Sequence, residues 1–273
     1  MTGREISRTK VAAGRGPVMG RQARGAILRG LSYLSILVAW LIAAALMDTD
    51  LMPGPVATFE FILHELERGV LLMHLWATVQ RVLIAFTVAL LLGIGIGAAM
   101  GLSKRIDDLL EGWLVAGLTI PRIILFVMAY LLLGLSDSAA IAALVVTVLP
   151  TVVVQIREGT RALDGKLIEM AVAYRRSKPA LWRHVILPQL MPYVIGTSRA
   201  SLSLAWKMVV LAELLGRTSG VGYQISFYFQ MFNMKGILAY GVTMMVILAI
   251  IDVVVFGAIQ RSAFRWRRPA SGA

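Results

Sequence analysis

Ionisable side chains within apolar segments are the residues of this sequence most able to do chemistry. They are Arg122, Lys207 and Glu213, and Trp206 directly precedes Lys207. Charges in such segments are costly and usually face a water-filled path or a partner charge. Two cations so placed suit the passage of an anion, and we therefore predict that these four residues line a translocation path.

Each of these charges also fits a second role. Lys207 could pair with Glu213 across a dimer, and Arg122 could extend its head toward the membrane surface. Glu213 is equally consistent with a gate and with a partner for a basic group. We expect Arg81 to extend toward the membrane surface, and Asp252 to be buried and paired.

Metal and nucleophilic chemistry find little support. The chain has no cysteine, which excludes disulfides, thiolate ligands and cysteine nucleophiles, and its three histidines are scattered. A membrane enzyme would need a cluster of His, Asp or Glu near one face, and none exists in the sequence. We predict no metal and no cofactor bound by this chain.

The elements that must position these residues are membrane helices. Of 273 residues, 58% are hydrophobic and 15% charged, and the mean hydropathy is +0.78. Soluble domains are about 25% charged, so this composition indicates an all-α, polytopic membrane protein. About 20 apolar residues span the hydrocarbon core, and we predict six such segments, the third interrupted by Pro121: 26–47, 75–101, 113–135, 139–156, 192–214 and 236–259.

The net charge of +12 indicates topology rather than a partner. Twenty basic residues lie in the N-terminal segment up to Arg29, just beyond the tail 1–25, in the loops 103–111 and 157–190 and in the tail 261–273, and three lie on the opposite side. Because Lys and Arg collect on the cytoplasmic side, both termini are predicted to be cytoplasmic. Charge divided in this way also argues against nucleic-acid binding.

Two segments outside the spans are predicted to be helical. The external segment 48–74 contains an amphipathic helix over residues 58–70. In the cytoplasmic loop 157–190, apolar residues recur at helical spacing. Ser177-Lys178-Pro179 then starts a second short helix, which Pro188 and Pro192 limit. This loop is either a docking element for a cytoplasmic partner or lies flat on the bilayer.

At this loop the sequence resembles the permease subunit of bacterial binding-protein-dependent ABC importers. The residues that carry the resemblance lie in the run EMAVAYRRSKPALWRHVILPQLMPYV, residues 169–194. Family positions are occupied by Glu169, Ala171, Leu187, Pro188 and Pro192.

Two positions of the loop depart from the family pattern. Met170 replaces an alanine, and Arg175 replaces a glycine that allows a tight turn between two helices. A non-glycine residue with positive φ is uncommon, so the geometry of this turn stays open at the level of the sequence.

Two further segments resemble the nitrate/sulfonate/taurine branch of this family. The run AWKMVVLAELLGRTSGVGYQI, residues 205–225, carries the Ala-Trp, Glu-Leu-Leu-Gly and Gly-Val-Gly-Tyr elements in the branch's order. The run TIPRIILFVMAYLLLGLSD, residues 119–137, is similar to its third segment, with Arg122 where a second proline is usual. The likeness covers residues 75–260, which would form the permease core after the first helix 26–47.

The resemblance implies a type I ABC importer-like transmembrane domain in the bacterial inner membrane. Such a chain is half of a pore, usually a homodimer, with two cytoplasmic ATPase subunits below it and a binding protein outside. The sequence has no Gly-x4-Gly-Lys-Ser/Thr run, so ATP would be used by the partner. The residues implied to couple to the ATPase are Glu169, Met170, Ala171, Tyr174, Arg175, Leu181, Trp182, Leu187 and Pro188.

The solute implied by this branch is a small anion such as nitrate, a sulfonate or taurine. Bicarbonate or a heterocyclic vitamin precursor is the alternative within the family. An ion-coupled secondary transporter is the alternative outside it, although we see no convincing internal duplication of the kind many such transporters carry.

Overall fold

The computed structural model describes residues 21–47 and 51–258, and the regular structure in these ranges is entirely helical. The chain divides into two compact units, Met1–Pro55 and Val56–Ala273. The first unit contains α1 (Arg21–Leu46). Its Trp40 indole N–H donates to the Pro53 carbonyl at 3.1 Å, which ties the end of α1 to the segment after it.

The second unit holds the remaining helices of the described chain. In order they are α2 (Pro55–Glu67), α3 (Val70–Leu102), α4 (Lys104–Thr119), α5 (Arg122–Leu133), α6 (Asp137–Arg161), α7 (Gly165–Ala173), α8 (Lys178–Leu181), α9 (Leu187–Gly216), α10 (Val221–Gln230) and α11 (Met234–Ile250). Two π-helical segments, Trp182–Ile186 and Ile251–Phe256, lead into α9 and extend α11.

Three described helices are long and apolar enough to cross a membrane: Val70–Leu102, Asp137–Arg161 and Met234–Phe256. They correspond to the second, fourth and sixth predicted spans. The first predicted span coincides with a shorter apolar helix, Gly30–Leu46. The fifth lies in α9, whose 30 residues contain Arg199, Lys207 and Glu213.

The third predicted span is two helices rather than one. α4 and α5 meet at an angle of 97° and together are apolar enough to form one broken span. Ile120 is extended because the following Pro121 disfavours the helical conformation there. Residues 104–111, predicted as a loop, belong to α4.

A glycine stripe lets α3 approach α6 closely. A Cβ at Gly93 would lie 2.4 Å from a Val152 methyl group, and one at Gly97 would lie 2.7 Å from a backbone oxygen of α6. Gly101 is similarly crowded by Thr160. These three glycines share one helix face and allow the close approach. Gly95 differs from them, because a Cβ there would meet open space.

Candidate functional site

An ion pair between Arg81 of α3 and Glu213 of α9 lies inside the second unit. Arg81 Nη1 is 2.6 Å from Glu213 Oε1, and the side chains are 5% and 0% exposed. Burying two charges is offset only when further hydrogen bonds satisfy their remaining atoms. The Thr78 hydroxyl and the Gly222 N–H, each at 2.9 Å, donate these bonds to the Glu213 carboxylate.

The remaining donors of Arg81 bind two other parts of the chain. Its Nε donates to Asp137 Oδ1 at the start of α6, at 2.8 Å. Its two terminal nitrogens donate to the carbonyl and hydroxyl oxygens of Ser219, at 2.8 and 2.7 Å. One guanidinium therefore joins α3, α6, α9 and the segment before α10.

The start of α10 is built around this pair. Gly220 has φ +109, and a Cβ there would lie 2.2–2.4 Å from the Glu213 carboxylate. The Gly220 N–H donates to His74 Nδ1 at 3.0 Å, and the Val221 N–H donates to the Thr78 hydroxyl at 2.8 Å. The side chains of α3 thus satisfy the first backbone donors of α10, which a helix cannot satisfy by itself.

The expectation that Arg81 extends toward the membrane surface is wrong. Its side chain is held inside the subunit because Glu213 and Asp137 offer it carboxylates there. A signal was present in the sequence: His74, Thr78 and Arg81 recur at four- and three-residue spacing, and such residues lie on one face of a helix.

The four predicted path residues divide into two groups. Arg122 begins α5 directly after the bend and Lys207 lies within α9; both are exposed, and neither forms an ion pair with a described residue. Trp206 and Glu213 are buried, and the Trp206 indole N–H donates to the Met244 carbonyl at 3.1 Å. Glu213 thus has a cation partner within its own chain, which leaves Arg122 and Lys207 as the exposed charges among the four residues.

Asp252 is paired as expected but only half-buried. It lies opposite Arg199, with Arg199 Nε donating to Asp252 Oδ1 at 2.5 Å and the second nitrogen donating to the other carboxylate oxygen. This bidentate pair joins α9 to the π-helical segment that extends α11. Both side chains remain partly exposed, at 47% and 35%.

The predicted cytoplasmic loop begins with an ordered first helix. α7 spans Gly165–Ala173 and is capped by the Asp164 carboxylate, which accepts from the Lys166 N–H at 2.9 Å. The Asp164 N–H donates to Gln189 Oε1 at 2.8 Å, which fixes the start of α7 against α9. Residues 157–161, predicted as part of the loop, belong to α6.

Arg175 retains the left-handed turn that the family glycine would provide. Its φ is +52, and its N–H donates to the Val172 carbonyl at 2.8 Å. The Arg176 N–H donates to the Ala171 carbonyl at 3.1 Å. These two bonds form a Schellman motif, the usual way to end a helix at a left-handed residue.

The second loop helix does not stop at the prolines. α8 continues through the π-helical segment Trp182–Ile186 into α9, so the prediction that Pro188 and Pro192 limit it is wrong. Pro188 cannot donate a helical hydrogen bond. The Leu187 N–H instead reaches back five residues to the Trp182 carbonyl, and this wider turn carries the helix past the proline.

The loop presents an apolar surface with a cavity of about 430 Å³ between its two helices. Met170, Tyr174 and Trp182 are 52%, 76% and 45% exposed, whereas Ala171 is buried. Glu169 is exposed beside them and forms no ion pair with a described residue. The remaining coupling residues also lie in this segment: Leu181 is half-buried, and Leu187 and Pro188 are exposed.

A charge cluster braces the base of the loop. Asp107 of α4 is buried and lies 3.1 Å from Arg157, and its second oxygen pairs with Arg161. Both arginines occupy the last turns of α6, immediately before α7. Asp107 therefore links α4 to the end of α6, next to the start of α7.

Comparison with protein families matches residues 89–268 to the family described as binding-protein-dependent transport system inner membrane component. An ABC transporter permease protein of Brucella melitensis is 30% identical over 72% of this chain and 80% of its own length. An aliphatic sulfonates transport permease protein of Bacillus subtilis is 27% identical over 90% of both chains. The taurine transport permease protein of Escherichia coli K12 is 25% identical over 71% of this chain and 70% of its own length.

The fold matches solved importers as well. The structure of the MetNI methionine ABC transporter in an inward-facing conformation contains a chain that superimposes with a TM-score of 0.65. The match covers 73% of this chain and 98% of that chain at 18% identity. At this identity the likeness concerns the fold alone.

Proposed function

Because the chain belongs to the binding-protein-dependent inner membrane component family, in the nitrate/sulfonate/taurine branch, we propose that it carries a small oxyanion across the membrane. It is the permease subunit of an ABC importer and not an enzyme. Such permeases work with separate ATPase subunits and a binding protein. We further propose that two copies of this chain form the pore above two ATPase subunits.

The inference of an anionic solute rests on two exposed cations in the apolar helices. Arg122 follows the bend between α4 and α5, and Lys207 lies in the middle of α9; neither forms an ion pair with a described residue. An unpaired cation within a membrane is stable only beside water, a counter-ion or a partner chain. A shared path between two copies would supply water, and a passing oxyanion would be the counter-ion.

The relatives point to the same class of solute. The Bacillus subtilis relative is a permease for aliphatic sulfonates, and the Escherichia coli relative is a permease for taurine. We propose a sulfonate, taurine or nitrate as the solute, with bicarbonate or a heterocyclic vitamin precursor as the alternative.

We propose that the segment 165–188 transmits the ATPase's motion. Exposed Met170 and Tyr174 line the cavity of about 430 Å³, and Trp182 is exposed in the same segment. This apolar surface suits contact with a groove of a partner subunit. The charge cluster at Asp107 would pass the motion to α4 and α6. We propose that the loop and both termini lie in the cytoplasm, which the distribution of basic residues supports.

Reconstituted transport tests this proposal. The full chain is placed in liposomes with its ATPase and binding protein, and uptake of labelled sulfonate is measured with and without ATP. We expect uptake only with ATP and all three components, and competition by nitrate or taurine. Uptake by the chain alone under an ion gradient would support the secondary transporter instead. Competition by a neutral vitamin precursor would contradict an anionic solute.

A further inference from the structure

A second cavity of about 430 Å³ lies between α2 and α10. None of its lining residues belongs to the loop 157–190 or to the Arg81–Glu213 pair. The lining includes Phe61, Glu65, Arg68, Gln224, Phe227 and Tyr228.

The carboxylate of Glu65 is buried in this cavity's wall, beside the hydroxyls of Tyr240 and Tyr228 and the guanidinium of Arg68. Its side chain is 3% exposed, and Oε2 accepts from the Tyr240 hydroxyl at 2.9 Å. Oε1 lies 3.5 Å from Arg68 Nη1, whose side chain is 60% exposed. This 3.5 Å contact is longer than an ordinary charge-assisted hydrogen bond. The exposed Arg68 can therefore turn to another acceptor when a ligand cation takes its place at the buried Glu65 Oε1.

Gln224 adds a polar group without a partner. Its side chain is buried, one amide atom contacts His74 Nε2 at 2.6 Å, and the other has no hydrogen-bond partner among the described residues. His74 Nδ1 accepts from the Gly220 N–H, so the proton of the neutral ring is on Nε2. Nε2–H requires the amide oxygen of Gln224 as its acceptor. The group left without a partner is therefore the amide N–H donor.

Aromatic rings complete the cavity wall. Phe61 and Phe227 both meet Tyr228 edge to face, with ring centroids 5.4 and 5.3 Å apart. Burial and the neighbouring Glu65 carboxylate raise the pKa of Tyr228 to about 12, so its phenol stays neutral. Neutral aromatic rings attract a cation that lies over their faces.

We propose that this cavity binds a small zwitterion with a primary ammonium and an oxyanion, the chemistry of phosphoethanolamine. The ammonium donates to Glu65 Oε1 beside the aromatic rings. The oxyanion accepts from the Arg68 guanidinium and the Gln224 amide. Two sources offer this chemistry: the headgroup of a membrane lipid and a free zwitterion in solution.

The test uses the full-length chain purified in detergent. Native mass spectrometry measures retention of phosphatidylethanolamine against phosphatidylcholine, which lacks a donating ammonium, and a thermal-shift titration with free phosphoethanolamine tests the soluble source. The variants are Glu65→Gln and Arg68→Gln. Their matched controls are Glu67→Gln on the same helix and Lys235→Gln, which alter charges outside the cavity lining.

We expect a preference for the ethanolamine form that falls about tenfold in either cavity variant, the effect of losing one charge-assisted hydrogen bond. The controls should bind as the unaltered chain does. Binding of the lipid alone identifies the headgroup as the source, and binding of the free compound alone identifies a soluble ligand. The proposal would be overturned if both lipids were retained equally and phosphoethanolamine did not bind. It would also be overturned if the cavity variants bound as their controls do. If Glu65→Gln does not fold, Arg68→Gln still provides the test, because Arg68 is exposed.

Discussion

Arg81 Nη1 and Glu213 Oε1 lie 2.6 Å apart, although 132 positions separate the two residues in the chain. This contact joins α3 to α9 and, through Asp137 and Ser219, to α6 and the start of α10. The Gly-Val-Gly-Tyr element is thereby explained as packing around a buried carboxylate. The conformation of this Gly-Val-Gly-Tyr element depends on the side chain of Glu213.

Removing either member of the ion pair should destabilise the fold to a different extent. Arg81→Met leaves the Glu213 carboxylate wholly buried without a cation, which costs about 3–5 kcal/mol. Glu213→Gln leaves Arg81 with Asp137 and Ser219, so its cost should be smaller. Thermal unfolding of the purified variants in detergent gives their unfolding temperatures, and we expect the lower one for Arg81→Met.

The control for this pair is the double variant Arg81→Met/Glu213→Gln, which buries no unpaired charge at either position. It should unfold at a higher temperature than Arg81→Met alone. If Arg81→Met unfolds at the temperature of the unaltered chain, the pair contributes nothing to stability.

Gly220→Ala should disrupt the start of α10. The added Cβ would lie 2.2–2.4 Å from the Glu213 carboxylate, and the φ of +109 is one that L-residues rarely adopt. We expect a lower unfolding temperature and faster amide exchange over Val221–Gln230. Gly112→Ala is the control, since its Cβ meets nothing within 4 Å and alanine favours a helix interior. Equal stability of the two variants would contradict the packing described for Glu213.

Arg175→Gly should stabilise the turn after α7. Arg175 has φ +52, and a non-glycine residue in this region costs about 1 kcal/mol of folded-state stability. Glycine removes this cost, but its greater conformational freedom in the unfolded chain cancels part of the gain. Amide exchange of Gly165–Ala173 should slow. Arg175→Ala is the control, because alanine keeps the unfavourable backbone angle. Faster exchange in the glycine variant than in the alanine variant would contradict an unfavourable backbone angle at this turn.

Charge reversal on the exposed face of α7 should uncouple transport. Glu169→Arg places a cation among Met170, Tyr174 and Trp182, the surface proposed to contact the ATPase. We expect loss of uptake and of ATPase co-purification, with normal membrane insertion. Glu67→Arg, a reversal on exposed α2, should transport normally. Normal transport by Glu169→Arg would count against the docking role.

Hydropathy located the second, fourth and sixth predicted spans because each depends on local composition. The break at Pro121 and the two loop helices were likewise visible in local signals. The passage of the helix through Pro188 was not, since it depends on a wider turn that compensates for the missing N–H. Such compensation is a property of the whole segment.

The buried pair could not be predicted from one sequence. Arg81 and Glu213 are each compatible with several partners, and only the packing of α3 against α6 and α9 selects one. The polar stripe of His74, Thr78 and Arg81 indicated a face of α3 that avoids lipid, but not what covers it. The cavity beside α2 was equally hidden, because it depends on Glu65 and Gln224 meeting across two helices.

Uptake by variants of the two exposed cations decides whether they line an anion path. Labelled sulfonate uptake is measured in liposomes that contain the ATPase, the binding protein and Arg122→Met, Lys207→Met or the control Lys235→Met. We expect a marked loss of uptake in the first two variants, with stability and ATPase association intact, and normal uptake in the control. Unchanged uptake after both Arg122→Met and Lys207→Met would contradict an anion path lined by these residues.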